Sequence, residues 1–112
     1  MALDIPIASP QAVDLAESFH QNVKVWKNET GLLSSVGTAI AHPSYLRIIG
    51  LSKYSNGHEI ERLILQELAT EPDYWFAALT AISDEDPART EHDFDRSVEA
   101  WLAWGRAKGI LE

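Results

Sequence analysis

The side chains of this chain that could do acid-base or metal chemistry are four histidines, at 20, 42, 58 and 92, set among seventeen acids. Two imidazoles four residues apart would share one helix face and could hold a divalent metal, but no pair has that spacing. His58 stands beside Glu59 and Glu61, and His92 beside Asp93 and Asp95, and such runs bind a metal only where the fold brings in further ligands. Runs of this kind more often open solvated helices, and no metal is expected. Asp84, Glu85 and Asp86 run into Pro87 and lack the glycine and terminal glutamate of a calcium loop, so they read as a helix end and a solubilising patch. Nucleophilic catalysis needs a nucleophile, a base and an orienting group converging in space. Ser34 and Ser35 sit in no nucleophile elbow and read as loop residues. Gly50 and Gly57 make no phosphate cradle, because no glycine-rich loop leads into a helix through a Lys-Ser or Lys-Thr pair. No cofactor and no catalytic residue follow from these patterns, and the balance lies against an enzyme.

The aromatic residues, four Trp, three Tyr and three Phe, carry more information. Trp75 and Phe76 are neighbours, and adjacent helical positions point about 100° apart, so the pair serves two packing faces before it serves a ligand cage. Trp101 and Trp104 are three apart on the last helical pattern, and a thin outer layer does not easily bury both. They are the interface candidates, for a protein partner or for a second copy in a homodimer, and the equally open alternative is that both simply cap the core. His42, Tyr45 and Tyr74 are the candidates for a pocket between helices, where a small-molecule binder or an enzyme would hold its ligand.

Composition bounds the rest. A chain of 112 residues, 46% hydrophobic and 23% charged, is expected to form a single domain over residues 1–112, with an extended lead-in over 1–8. The absence of cysteine excludes disulfides and thiolate metal sites. No apolar run approaches the roughly 20 residues of a membrane span, and Met1-Ala2-Leu3-Asp4 lacks the basic start of a signal peptide, so a cytoplasmic location without membrane contact is expected. The net charge of −8 is uneven: residues 1–56 hold four acids and four bases, residues 57–112 thirteen and five. So acidic a surface repels phosphate backbones, and a nucleic-acid partner is not expected; that reading would need Lys24, Lys27, Arg47 and Lys53 on one face. The acidic half would instead steer a basic partner toward it, or simply keep the protein soluble.

Helices must position these groups. Ser9-Pro10 matches an N-cap with proline at the first helical position, and Val13, Ala16, Phe19 or His20, Val23 and Trp26 then form a stripe that ends near Thr30-Gly31. Residues 32–41 read as loop with a short helical turn. His42-Pro43 restarts a helix through Tyr45, Leu46, Ile48 and Ile49 to Gly50, and Lys53 to Gly57 reads as an exposed turn. A third helix carries Ile60, Leu63, Ile64, Leu65 and Leu68 inside, with Glu59, Glu61, Arg62 and Glu67 outside. Thr70 with Asp73 resembles a capping box, placing Pro72 in the first turn of a fourth helix through Tyr74, Trp75, Phe76, Leu79 and Ile82. After Ser83 to Pro87, Thr90 to Asp93 caps a fifth helix with Phe94, Val98, Trp101 and Leu102, closed by Lys108-Gly109-Ile110. The expected fold is all-α, about five helices in antiparallel helical hairpins.

Residues 43–83 resemble a HEAT-like helical repeat, with Tyr45 to Gly50 ending one helix, Glu59 to Leu68 forming the next and Pro72 to Leu79 opening another pair. The chain also resembles a group of short bacterial proteins that carry Trp…Glu-Thr, His-Pro-x-Tyr, Arg-Ile-Ile-Gly, Pro-Asp-x-Trp-Phe and Ala-Trp-Leu-x-Trp-Gly elements. Here these are Trp26 to Thr30, His42 to Tyr45, Arg47 to Gly50, Pro72 to Phe76 and Ala100 to Gly105, and Ser52 to His58 is longer than in the group. The resemblance brings no activity with it and implies cargo of mobile gene cassettes or paired operons. The expected function is a non-catalytic protein-interaction module, in its sharper form an antitoxin-like or operon-partner-binding protein. The alternative is a small-molecule-binding protein or enzyme with an inter-helical pocket.

Overall fold

Every regular element among the described residues is helical, as expected, and no strand is present among them. The computed structural model describes the backbone of residues 10–31, 36–54 and 57–112, and the side chains of 15–31, 37–54 and 57–112. The lead-in over 1–8, the Ser9 cap, the Val13 side chain, and Ser34 and Ser35 lie outside these residues. Among the described residues run six α-helices: α1 (Pro10–Thr30), α2 (Val36–Ile40), α3 (Pro43–Leu51), α4 (Glu59–Thr70), α5 (Phe76–Ser83) and α6 (Phe94–Ala107). A 3-10 turn, Ser52–Tyr54, follows α3. The helix beyond the expected five is α2, in the stretch read as loop with a helical turn. Contacts gather into two units, Met1–Ile60 and Glu61–Glu112, divided within the first turn of α4.

In the first unit α1 packs on α3 and on the 3-10 turn, and α2 packs on α3. Leu15, Phe19, Val23 and Trp26 are buried while His20 is exposed, so Phe19 carries the α1 stripe. On α3, Tyr45 and Ile48 are buried, while Leu46 is 54% exposed. One residue beyond Tyr45 is about 100° round the helix, enough to turn Leu46 outward. His42 holds the N-cap position with Pro43 inside the helix, as the dipeptide suggests.

In the second unit α4 buries Ile64, Leu65 and Leu68. Glu61, read as an outward residue, is only 4% exposed. It stands three and four residues before Ile64 and Leu65, and so lies on the same stripe. The expected start of the fourth helix is also displaced. Thr70 is the last residue of α4, its hydroxyl donating to the Gln66 carbonyl at 2.8 Å, and α5 begins only at Phe76. Pro72 therefore follows a helix instead of opening one, because a proline suits a chain leaving a helix as well as one entering it. Asp73 serves the connection, accepting the Tyr74 N–H at 2.8 Å on its carboxylate and the Trp75 N–H at 2.8 Å on its carbonyl. Asp84 closes α5 at φ 63°, a left-handed conformation that the short polar side chain of aspartate tolerates.

Helix α6 starts and ends on local chemistry. Asp93 caps it, accepting the Arg96 N–H at 3.1 Å. At the far end Gly109 takes φ 76° and bonds to the Arg106 carbonyl at 3.0 Å, while the Ile110 N–H reaches the Gly105 carbonyl at 2.8 Å. This is the Schellman arrangement, and it folds Ile110 back to 4% exposure.

Candidate functional site

Of the three pocket candidates, His42 and Tyr45 fall in the first unit and Tyr74 in the second. The His42 Nδ1 accepts the Ser44 N–H at 3.0 Å, which leaves the ring proton on Nε2, and Nε2 donates to Glu29 Oε1 at 2.7 Å. One imidazole thus caps α3 and ties it to the last turns of α1. Tyr45 has no exposed surface and packs its ring 5.3 Å from that of Trp26, whose Nε1–H donates to the Ala39 carbonyl at 2.8 Å. Both side chains hold the helices of the first unit together. Among the described residues that unit also carries a shallow depression of about 380 Å³ lined by Ser18, Asn22, Arg47, Gly50, Leu51, Lys53 and Tyr54. Arg47 and Lys53 bring two of the four cations considered for an anionic partner to one place; Lys24 and Lys27 do not line it.

The two interface candidates differ in exposure. Trp101 has no exposed surface, and Trp104 is partly exposed with its ring edge-on at 5.1 Å. The Trp101 Nε1–H is buried without a hydrogen-bond partner among the described residues. Trp104 Nε1–H donates to Glu85 Oε1 at 3.1 Å, and Lys108 Nζ approaches Glu85 Oε2 at 3.0 Å. The indole donor first, and the ammonium second, hold the Glu85 carboxyl below its usual pKa. The three side chains make a clasp between the loop after α5 and the last turn of α6.

Tyr74 is 42% exposed and belongs to a cluster of three rings. Its centroid lies 5.0 Å from Phe94 and 6.1 Å from Phe76, and Phe76 lies 5.5 Å from Phe94. The first turns of α5 and α6 bring the rings together, and acids flank both turns. A second depression, of about 530 Å³, is lined by Arg62, Gln66 and residues 109–112, with Arg62 Nε donating to the Ile110 carbonyl at 3.2 Å.

Among the described residues no group of three or more His, Cys, Asp or Glu gathers as a metal would need, and no helix is long and apolar enough to cross a membrane. No known family model, curated protein or solved structure matches the chain. Sequence reasoning did not single out Glu29 as the partner of His42, Glu85 as that of Trp104, or Phe94 as that of Tyr74. The first two pairs span 13 and 19 residues, beyond the reach of any helical spacing rule.

Proposed function

We propose that the chain is a non-catalytic protein-interaction module, built from HEAT-like helical hairpins, that uses the acidic half over residues 57–112, or the Trp101 and Trp104 face, to hold a protein partner or a second copy. The observation that carries this reading is exposure: Glu71, Asp86, Asp93, Asp95 and Glu99 of the second unit all face solvent. Carboxylates so placed raise the encounter rate with a basic surface and penalise an acidic one. In its sharper form the module is antitoxin-like, a bacterial cytoplasmic protein of a mobile cassette or paired operon that covers a basic nuclease site, and the resemblance to short bacterial proteins supports that setting. The partly exposed Trp104 beside Trp101 supplies the face for self-association. The test is light scattering for mass, then calorimetric titration with the products of the flanking genes. A dimer, or a complex whose affinity falls several-fold between about 50 and about 300 mM salt, supports the module. A monomer that binds neither product, or a complex indifferent to salt, refutes it.

A second reading, a small-molecule-binding protein or enzyme with an inter-helical pocket, draws on the groove that Arg47 and Lys53 line. Saturable binding of inorganic phosphate, lost on Arg47→Ala with folding intact, would carry it; an unchanged melting curve across a phosphate titration would dismiss it.

A further inference from the structure

We infer that Tyr74, Phe76 and Phe94 form a docking surface for a basic segment of a partner protein, an arginine or lysine laid against Tyr74 with neighbouring cations meeting the carboxylates around it. This rests on the interaction-module reading and names its site.

The rings are in mutual contact, with centroids 5.0, 5.5 and 6.1 Å apart, so Tyr74 is held from two sides. Its own backbone is held as well, the N–H donating to Asp73 at 2.8 Å. Even so the side chain keeps 42% of its surface exposed, and among the described residues it is the exposed large apolar residue of the second unit. Trp75, the next residue, has none exposed. A ring fixed in place and still partly exposed loses little freedom on binding, which favours its use as an anchor.

The charge around the rings selects the occupant. Within three residues of Tyr74 or Phe94 stand Glu71, Asp73, Glu91, Asp93 and Asp95, against Arg96 and His92. None of the five acids is buried. Asp73 and Asp93 each accept a backbone N–H, from Tyr74 and from Arg96. A neutral apolar partner would desolvate these carboxylates, and an acidic one would be repelled. A cation gains twice, from the electron-rich face of an aromatic ring and from carboxylates that neighbour Tyr74 and Phe94 along the chain.

The probe is a fluorescein-labelled peptide alternating arginine and glycine, with the glutamate-glycine counterpart as control, titrated with the full chain and read by anisotropy. The arginine peptide binds and the glutamate peptide does not. Tyr74→Ala weakens binding by roughly two- to fivefold, the range of an exposed cation–π contact, and Tyr74→Phe retains it. The pair Glu71→Gln and Asp95→Asn weakens binding more than Asp84→Asn with Asp86→Asn, an equal change in charge at the end of α5. Circular dichroism melts establish that each variant is folded. The inference is overturned if the arginine peptide does not bind, if Tyr74→Ala binds as the unaltered chain does, or if the two charge pairs weaken binding equally. The partner titration separates this site from the module itself: a salt-sensitive complex that Tyr74→Ala leaves intact refutes the site and keeps the module.

Discussion

Gly105 occupies a place where the structure leaves no room for a side chain. It is buried on α6, one turn beyond Trp101, and a Cβ built there falls 2.7 Å from Leu65 Cδ1 and 3.2 Å from Leu111 Cδ1. Two effects compete in Gly105→Ala. Alanine inside a helix is favoured over glycine by up to about 1 kcal/mol, because the glycine backbone loses more freedom on folding. Against that, 2.7 Å lies well inside the roughly 3.5–4.0 Å optimum for two carbons. Leu65 has no exposed surface, so its methyl cannot swing into solvent to make way. Forcing a methyl group into a filled site costs roughly 1–3 kcal/mol. The steric effect wins, and Gly105→Ala is expected to destabilise the protein by about 1 kcal/mol, the remainder after the helix preference is offset. Urea unfolding followed by tryptophan emission should show a lower midpoint at an unchanged slope. Leu65→Val removes the offending methyl, and in that background Gly105→Ala should become neutral or stabilising, a coupling that the double-mutant cycle isolates. A midpoint raised by Gly105→Ala alone, or strictly additive effects in the cycle, would refute the packing argument.

Four further outcomes are expected. His42→Ala should cost roughly 0.5–2 kcal/mol in thermal unfolding through loss of the α3 cap, while His42→Asn should retain most of it, since asparagine is itself a strong N-cap; equal losses would mean that the link to Glu29 matters more than the cap. Trp26→Phe should be more destabilising than Trp101→Phe by about 1 kcal/mol, because the Trp26 N–H is bonded to the Ala39 carbonyl whereas that of Trp101 has no partner among the described residues; urea midpoints giving the reverse order would contradict this. The Glu85 carboxyl, held below its usual pKa in the folded state, contributes stability that is present above the unfolded-state value and is lost as pH falls through the lower folded-state value. Acid titrations of stability should therefore show a component below the ordinary carboxylate range that disappears in Glu85→Gln, and identical acid limbs would count against the clasp with Trp104 and Lys108. Asp93→Ala should cost about 1 kcal/mol through the α6 N-cap, read from the melting temperature, and Asp93→Ser much less.

The sequence by itself determined most of the helical stretches and where several of them begin or end, because those decisions are local. His42-Pro43, Asp93 and Lys108-Gly109-Ile110 each act through hydrogen bonds spanning no more than about one and a half turns, and each does in the structure what its residue types require. Local rules also mislead where two outcomes share one pattern. Thr70 and Pro72 suit the end of a helix as well as its start, and only the packing of α4 placed Thr70 as a last residue. The burial of Glu61 was readable from its spacing to Ile64 and Leu65, had the periodic stripe been weighed above the charge. What only the tertiary structure decided is which helix meets which. That put Glu29 on His42, Glu85 on Trp104, Leu65 on Gly105 and Phe94 on Tyr74. These pairs join residues from separate elements, and backbone periodicity carries no information about partners beyond its own helix; they are selected by the mutual burial of apolar faces, a property of the folded chain as a whole.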